Sequence, residues 1–194
     1  VRHQFLILSV VRQRMRAQRV ELKQALARIE ELATCDALTG LLNRRHMEEV
    51  LERERQRSVR SGHAFCIAVL DIDGFRAVND RHGVAAGDRV LRAFAQEAQA
   101  AVRIVDRLGR WGGETFVLLL CDTRAPMARQ SVERLRERVA ATQVPAAAGE
   151  SVRVTVSAGM TEHHAGETIA DALDRARVAL GEAKAQGRNR LVVA

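Results

Sequence analysis

Hydrophobic positions change period several times along the chain, and each change marks an element. Over the first 33 residues Leu8, Met15, Leu22 and Ile29 recur every seven positions, Val11, Ala25 and Leu32 fill the offset positions, and Gln18 is the polar exception. A heptad pattern without Gly or Pro, and with charges on the other face, predicts a long helix that pairs as a parallel coiled coil. A helical pattern returns over about 44–60, where Met47, Val50 and Leu51 share a face; Asn43 stands ready to cap it and Ser61-Gly62 to end it. Residues 64–72 (AFCIAVLDI) are apolar for the length of a strand, which suits a central strand covered on both faces. A short helical turn over 74–80 precedes a longer helix over 86–102, with Val90, Leu91, Phe94 and Ala98 on one side. Residues 107–110 and 115–120 flank Trp111-Gly112-Gly113 as a hairpin. A helix over 125–141, an alternating strand over 152–159, a helix over 168–186 and a strand over 191–193 complete the pattern.

The order after residue 36 is therefore α-β-α-β-β-α-β-α-β, two βαβ-like halves around a hairpin. That predicts an α+β domain over 36–194, an antiparallel central sheet flanked by helices, of ferredoxin-like or polymerase-palm type. Residues 1–35 are expected to form a separate N-terminal coiled-coil helix. A length of 194 residues fits one domain plus such an extension.

Composition adds three constraints. Apolar residues make up 47% but aromatics only 3%, so the core must be built from Leu, Val, Ile and Ala. The net charge of +7 suggests anionic partners. Nucleic acid is not the expected one, because basic and aromatic residues do not interleave and Tyr is absent. Cys35, Cys66 and Cys121 are odd in number and widely spaced, which argues against a disulfide framework or zinc site and for a reduced, cytoplasmic setting. The apolar run Phe5–Val11 is too short to span a bilayer, yet Arg12, Arg14, Arg16 and Arg19 follow it, as at the cytoplasmic end of a truncated membrane helix. An upstream membrane or sensor segment is thus an expectation.

The candidate chemistry gathers at two places. Asp71 and Asp73 close the apolar strand, and Gly112-Gly113-Glu114 forms the hairpin turn. Carboxylates at the end of an apolar strand need solvent or a cation. Residues two apart in a strand share a face. If the strands are neighbours, Asp71, Asp73 and Glu114 converge, and hard oxygen ligands of this kind suit Mg²⁺ or Mn²⁺ with phosphates completing the shell. The alternative is that these acids merely face solvent at strand ends.

Several motifs in order shift that balance. Asp36-Ala37-Leu38-Thr39-Gly40-Leu41-Leu42-Asn43-Arg44-Arg45, Asp71-Ile72-Asp73-Gly74-Phe75, Asn79-Asp80 with Gly87-Asp88, Arg110-Trp111-Gly112-Gly113-Glu114-Thr115-Phe116, Val154–Gly159 and Lys184–Asn189 together resemble the GGDEF diguanylate cyclase family over about residues 36–194. The resemblance implies that Asp71, Glu114 and the Ile72 carbonyl hold the metal, with Asp73 as a second or supporting ligand. It implies that Asn79 and Asp88 read guanine and that Gly112 and Gly113 admit the phosphates. Lys184 and Arg188, four apart on a helix, would clamp a triphosphate, with Arg76 adding to the clamp. Two GTP molecules, one in each subunit of a homodimer, would be joined into cyclic di-GMP with loss of two pyrophosphates. Arg103 and Asp106 form an RxxD five residues before the turn, which in the family marks an inhibitory site for cyclic di-GMP; Arg134 would contribute from the next helix.

Four departures bear on activity. Thr115 stands where the signature has an acid, Gly181 where Tyr is usual, and Val84 where His is usual; Arg177 also replaces a common acid. A strand beginning at Glu114 would turn Thr115 away from it. The expectation is a product-inhibited cyclase, and the alternative a weak or inactive domain that serves as a receptor for GTP or cyclic di-GMP. His163-His164 is expected to be an exposed loop, and Trp111 a packing residue.

Overall fold

The computed structural model describes residues 14–16, 18–24, 34–146 and 149–194. Residues 14–16 and 18–24 are helical, and Met15 and Leu22 are largely exposed there. The remaining heptad positions Leu8, Val11, Ala25, Ile29 and Leu32, and the apolar run Phe5–Val11, lie outside the described residues. Among the described residues no helix is long and apolar enough to cross a membrane.

From residue 44 the elements are α1 (Arg44–Ser61), β1 (Cys66–Ile72), α2 (Phe75–His82), α3 (Val84–Ala101), β2 (Arg107–Gly112), β3 (Thr115–Leu120), α4 (Ala125–Ala141), β4 (Val144–Pro145), β5 (Ser151–Val152), β6 (Val156–Glu162), α5 (Ile169–Ala185) and β7 (Leu191–Val193). The expected cap at the start of α1 is present: the Asn43 side chain accepts from the His46 N–H at 2.9 Å, and Gly62, in the left-handed region at φ 72°, ends the helix.

Five strands form one sheet in the order β2-β3-β1-β6-β7. β1 is central and antiparallel to both β3 and β6, but β7 runs parallel to β6. The sheet is thus mixed, which corrects the all-antiparallel expectation. The reason is the connection: α5 lies between β6 and β7, and a crossover helix returns the chain in the same direction. A second correction concerns the strand expected over 152–159. Ser151–Val152 instead pairs with Val144–Pro145 in a separate two-stranded ladder, and the sheet strand starts at Val156.

β1 explains the layering. All seven of its residues are buried. Cys66, Ala68, Leu70 and Ile72 pack in one core with Val90 and Phe94 of α3 and Val132 and Leu135 of α4. Ile67 and Val69 pack in the other, with Met47 and Leu51 of α1 and Ala172, Ala176 and Leu180 of α5. The period of two along the strand divides its side chains between two helical layers. Each buried Leu or Ile contributes about 1.5–3 kcal/mol relative to leaving it in water. Gly159 on β6 lets α5 lie directly on the sheet: a Cβ there would run into the backbone of Ala176 and Leu180.

Candidate active site

The same alternation places Asp71 on the face of β1 covered by α5. There the Asp71 Oδ1 meets the Lys184 Nζ at 2.9 Å, and the Asp71 side chain is only 12% exposed. Its Oδ2 accepts from the Thr115 hydroxyl at 2.8 Å. The register causes this second contact, since Asp71 lies opposite Thr115 across the β1–β3 ladder. A buried carboxylate without a compensating cation would be strongly disfavoured, and the ammonium supplies that compensation.

Glu114 immediately precedes β3, and its carbonyl accepts from the Ile72 N–H at 3.3 Å. The end of β1 and the hairpin are therefore joined backbone to backbone. Gly112 and Gly113 turn the chain at φ 154° and 54°, and a Cβ on either would meet nothing within 4 Å. The glycines serve the backbone conformation and leave open space above the turn. Arg110 braces the hairpin: its Nε donates to the Gly113 carbonyl at 2.9 Å, and its Nη1 lies 3.3 Å from both Asp36 oxygens. Asp36 also accepts from the Thr39 N–H and hydroxyl at 2.9 and 2.7 Å. Burial opposes ionisation of Asp36, but the Thr39 hydrogen bonds and the Arg110 charge outweigh it and hold the carboxyl below its ordinary value. Trp111 lies between two cations, the Arg44 guanidinium 5.0 Å from the ring centroid and that of Arg177 5.9 Å from it. Trp111 therefore packs as expected, and Arg177 in place of the common acid supplies half of its setting.

Asp73 does not join this group. β1 ends at Ile72 and Gly74 follows at φ 68°, so strand alternation no longer governs residue 73. Its carboxylate accepts from the hydroxyls of Thr155 and Ser157, each at 2.7 Å, and from the Asn189 N–H at 3.1 Å. Among the described residues no group of three or more His, Cys, Asp or Glu side chains is close enough together to hold a metal ion. The expected convergence of Asp71, Asp73 and Glu114 is thereby corrected: among the described residues the three carboxylates do not gather in one cluster.

Asn79 and Gly87 are in contact between α2 and α3. A Cβ at residue 87 would collide with the Asn79 Oδ1, and that oxygen is buried with no hydrogen-bond partner. Asp88 follows Gly87 directly, half-buried on α3. The region thus contains a buried amide oxygen without a hydrogen-bond partner and, one residue beyond Gly87, the half-buried Asp88. Arg76 extends into solvent from α2, 3.9 Å from Asp80.

Lys184 and Arg188 are not on one helix, which corrects the shared-face expectation. α5 ends at Ala185, and Arg188 follows Gly187 in a turn where Gly187, Arg188 and Asn189 all have positive φ, at 113°, 62° and 47°. Arg188 is exposed on that turn.

The RxxD segment is built differently from an acid orienting a guanidinium. Asp106 is buried, and its carboxylate accepts from the Arg103 N–H at 3.0 Å and the Cys121 N–H at 3.2 Å. It shapes the loop backbone and leaves the Arg103 side chain exposed. Arg134 donates to the Ala101 carbonyl at 3.1 and 2.6 Å, closing the end of α3. A cavity of about 350 Å³ lies beside Arg103, lined by Gly40, Leu42, Gln99 and Leu108 among others. A larger groove of about 610 Å³ runs along α1, lined by Arg53, Arg57, Arg60, Arg107 and Asp122. His163 stacks on Phe65 with ring centroids 4.5 Å apart, a half-buried packing role that corrects the expectation of a wholly exposed loop; His164 is exposed.

Comparison with known proteins agrees with this geometry. Residues 33–190 match the family model described as diguanylate cyclase, GGDEF domain. Diguanylate cyclase DgcP of Pseudomonas aeruginosa is 44% identical over 162 residues, which cover 84% of this chain and 24% of that protein. Response regulator PleD of Caulobacter vibrioides is 39% identical over 164 residues, covering 84% of this chain and 36% of that protein. The chain therefore spans only part of the curated relatives it matches. Among solved structures, the coiled coil and GGDEF domain of DgcB from Caulobacter crescentus, in complex with c-di-GMP, aligns with a TM-score of 0.89 at 30% identity over 96% of this chain and 99% of that one. Diguanylate cyclase SiaD of Pseudomonas aeruginosa, in complex with its activator SiaC, aligns with a TM-score of 0.83 at 41% identity, over 97% of this chain and 72% of that one. With its mixed five-stranded sheet and its glycine turn beside the end of β1, and with the family model matched over residues 33–190, the chain belongs to the diguanylate cyclase GGDEF domain family.

Proposed function

We propose that the chain condenses two GTP molecules into cyclic di-GMP, one nucleotide held by each of two facing copies. What supports this most is the juxtaposition at the end of β1: a buried carboxylate, an ammonium 2.9 Å from it, and a second acid at the adjoining glycine turn. Two carboxylates and a carbonyl are hard oxygen donors that fit Mg²⁺ or Mn²⁺. Asp71, Glu114 and the Ile72 carbonyl hold the ion in this reading. When bound, it neutralises charge on the phosphates and on the leaving pyrophosphate.

The chain's own residues do the rest. The unpaired Asn79 oxygen accepts from the guanine edge, and the Asp88 carboxylate accepts from the same N–H groups, which adenine does not offer there. The open space over Gly112 and Gly113 admits the phosphates. Lys184 exchanges Asp71 for phosphate oxygens, and Arg188 approaches from its turn. Arg76 joins only by giving up Asp80. Each 3′-hydroxyl oxygen bonds to the α-phosphorus of the other nucleotide as the bond to the β-phosphate oxygen breaks. The hydroxyl proton is lost and pyrophosphate leaves with the bonding electrons. Catalysis is then positioning and charge neutralisation. One copy holds half of the reacting pair, so residues 1–35 serve the reaction by pairing the copies as a homodimer. Product inhibition uses Arg103 on the loop built by Asp106, with Arg134 holding the adjoining helix end.

A receptor without turnover is the second reading, favoured by Thr115, whose hydroxyl occupies an Asp71 oxygen where the family has an acid. Incubation of the purified chain with GTP and Mg²⁺, followed by chromatography, separates the two. Cyclic di-GMP and pyrophosphate from the parent but not from Glu114→Gln support the cyclase. Tight cyclic di-GMP binding with no product from either selects the receptor.

A further inference from the structure

The Asp73 carboxylate is engaged by three donors, and none of them is a cation. Its Oδ1 accepts from the Ser157 hydroxyl, and its Oδ2 from the Thr155 hydroxyl and the Asn189 N–H. Its own N–H donates to the Thr155 carbonyl at 2.9 Å. The residue after β1 is thus tied both to the start of β6 and to the turn that carries Arg188.

That turn needs holding. Arg188 and Asn189 sit consecutively at φ 62° and 47°. Side chains other than glycine persist in the left-handed region where surrounding contacts fix them. Asn189 is fixed from two sides, its N–H by Asp73 and its Oδ1 by the Arg136 Nη1 at 2.8 Å. The Arg188 N–H donates to the Ala183 carbonyl at 3.0 Å and joins the turn to the end of α5. Loss of the Asp73 anchor would leave Arg188 and Asn189 without a tie to the sheet of their own, the next one being at Arg190, whose carbonyl accepts from the Ala158 N–H at 2.9 Å.

We infer that Asp73 is a positioning residue: it clasps the Arg188–Asn189 turn to the sheet and so sets where Arg188 points. The clasp rests on the contacts above, whereas its consequence for nucleotide binding rests on the cyclase reading. A carboxylate that binds a metal loses much of its grip when its charge is removed. A clasp needs only acceptor oxygen, and the two demands separate in substitutions. An Asn at this position keeps one carbonyl oxygen for Thr155 and Asn189, and its NH₂ can donate to the Ser157 hydroxyl. An Ala keeps only the main-chain bond to the Thr155 carbonyl.

The experiment compares Asp73→Asn, Asp73→Ala and the parent chain by three readouts: hydrogen exchange of the Asn189 amide, affinity for GTP with Mg²⁺, and the Mn²⁺ concentration giving half-maximal nucleotide binding. For Asp73→Asn the expected values lie within about threefold of the parent in all three, because the acceptor survives. For Asp73→Ala the Asn189 amide exchanges about tenfold faster or more, and GTP affinity falls about tenfold. A Mn²⁺ midpoint raised about tenfold in Asp73→Asn overturns the clasp, since it marks the lost charge as a ligand. Unchanged Asn189 exchange in Asp73→Ala overturns it as well. If Asp73→Ala does not fold, Asp73→Asn decides alone, because the two roles predict opposite metal responses. If the parent binds no GTP, the cyclase reading fails and Asn189 exchange judges the clasp.

Discussion

Replacing Gly87 with Ala tests guanine recognition without touching a hydrogen-bonding group. The added Cβ would overlap the Asn79 Oδ1 and lie 3.0 Å from its Cγ and 3.1 Å from the Phe75 Cζ. Asn79 must then swing out, because its oxygen occupies the space the methyl needs. Two terms act on stability in opposite directions. Gly to Ala inside a helix gains about 1 kcal/mol, while overpacking costs about 1–3 kcal/mol. The fold should therefore survive, weakened by no more than about 2 kcal/mol, as the difference of those terms. Binding loses the Asn79 contact with guanine, about 0.5–1.5 kcal/mol for one neutral hydrogen bond, and more if the base is left unpaired in its site. The expected result is a fall of about tenfold in GTP affinity, since 1.4 kcal/mol is a factor of ten. Equilibrium binding of GTP with Mg²⁺ measures it, beside thermal unfolding of the same sample. GTP affinity within twofold of the parent, in a folded variant, would refute the assignment of Asn79.

Four further outcomes follow from the structure. Gly181 lies within α5, and a methyl group added there would meet nothing within 4 Å, so Gly181→Ala should raise stability by about 0.5–1 kcal/mol, roughly 1–4 °C in a thermal scan. Burial, with Glu162 beside Cys66 and Glu54 and Asp106 beside Cys121, pushes both thiols up to about 12; of the three cysteines only Cys35 should react rapidly with iodoacetamide at pH 8 in the native protein. The Asp36 carboxyl is depressed in the folded state, so its contribution is present above the unfolded value near 3.8 and is lost as pH falls through the lower folded value. Asp36→Asn should thus reduce the unfolding temperature at pH 7 and converge with the parent in strongly acidic buffer. Arg103→Ala should raise the cyclic di-GMP concentration needed for half inhibition about tenfold, read by a turnover assay at increasing product, because an exposed guanidinium loses its charge-assisted contacts.

Much of the fold was legible because the core is written in period and length. The apolar run ending at Ile72 suited a strand covered on both faces and forms one, and α4 occupies the predicted span 125–141. The direction of β7 was not legible in three residues, since strand pattern carries no polarity. What sequence missed at the site was register and backbone. Thr115 meets Asp71 because β1 and β3 pair in antiparallel register, which no local pattern specifies. Asp73 leaves the metal face because the strand ends one residue earlier and Gly74 turns the chain. Arg188 leaves the face of Lys184 because Gly187 breaks the helix. Asp106 and Arg134 were read as ligand groups, yet their partners are main-chain groups of Arg103, Cys121 and Ala101, and every residue type carries those.

The shared grip of Asp71 and Glu114 on one divalent ion is the claim from which the rest descends. Crystals of the chain grown with Mn²⁺ and a non-reacting GTP analogue would locate the ion by its anomalous signal. The account predicts a peak about 2.0–2.3 Å from a carboxylate oxygen of both residues, with a phosphate oxygen completing the contact. An ion bound to the phosphates but touching only one of the two acids, or neither, would contradict it.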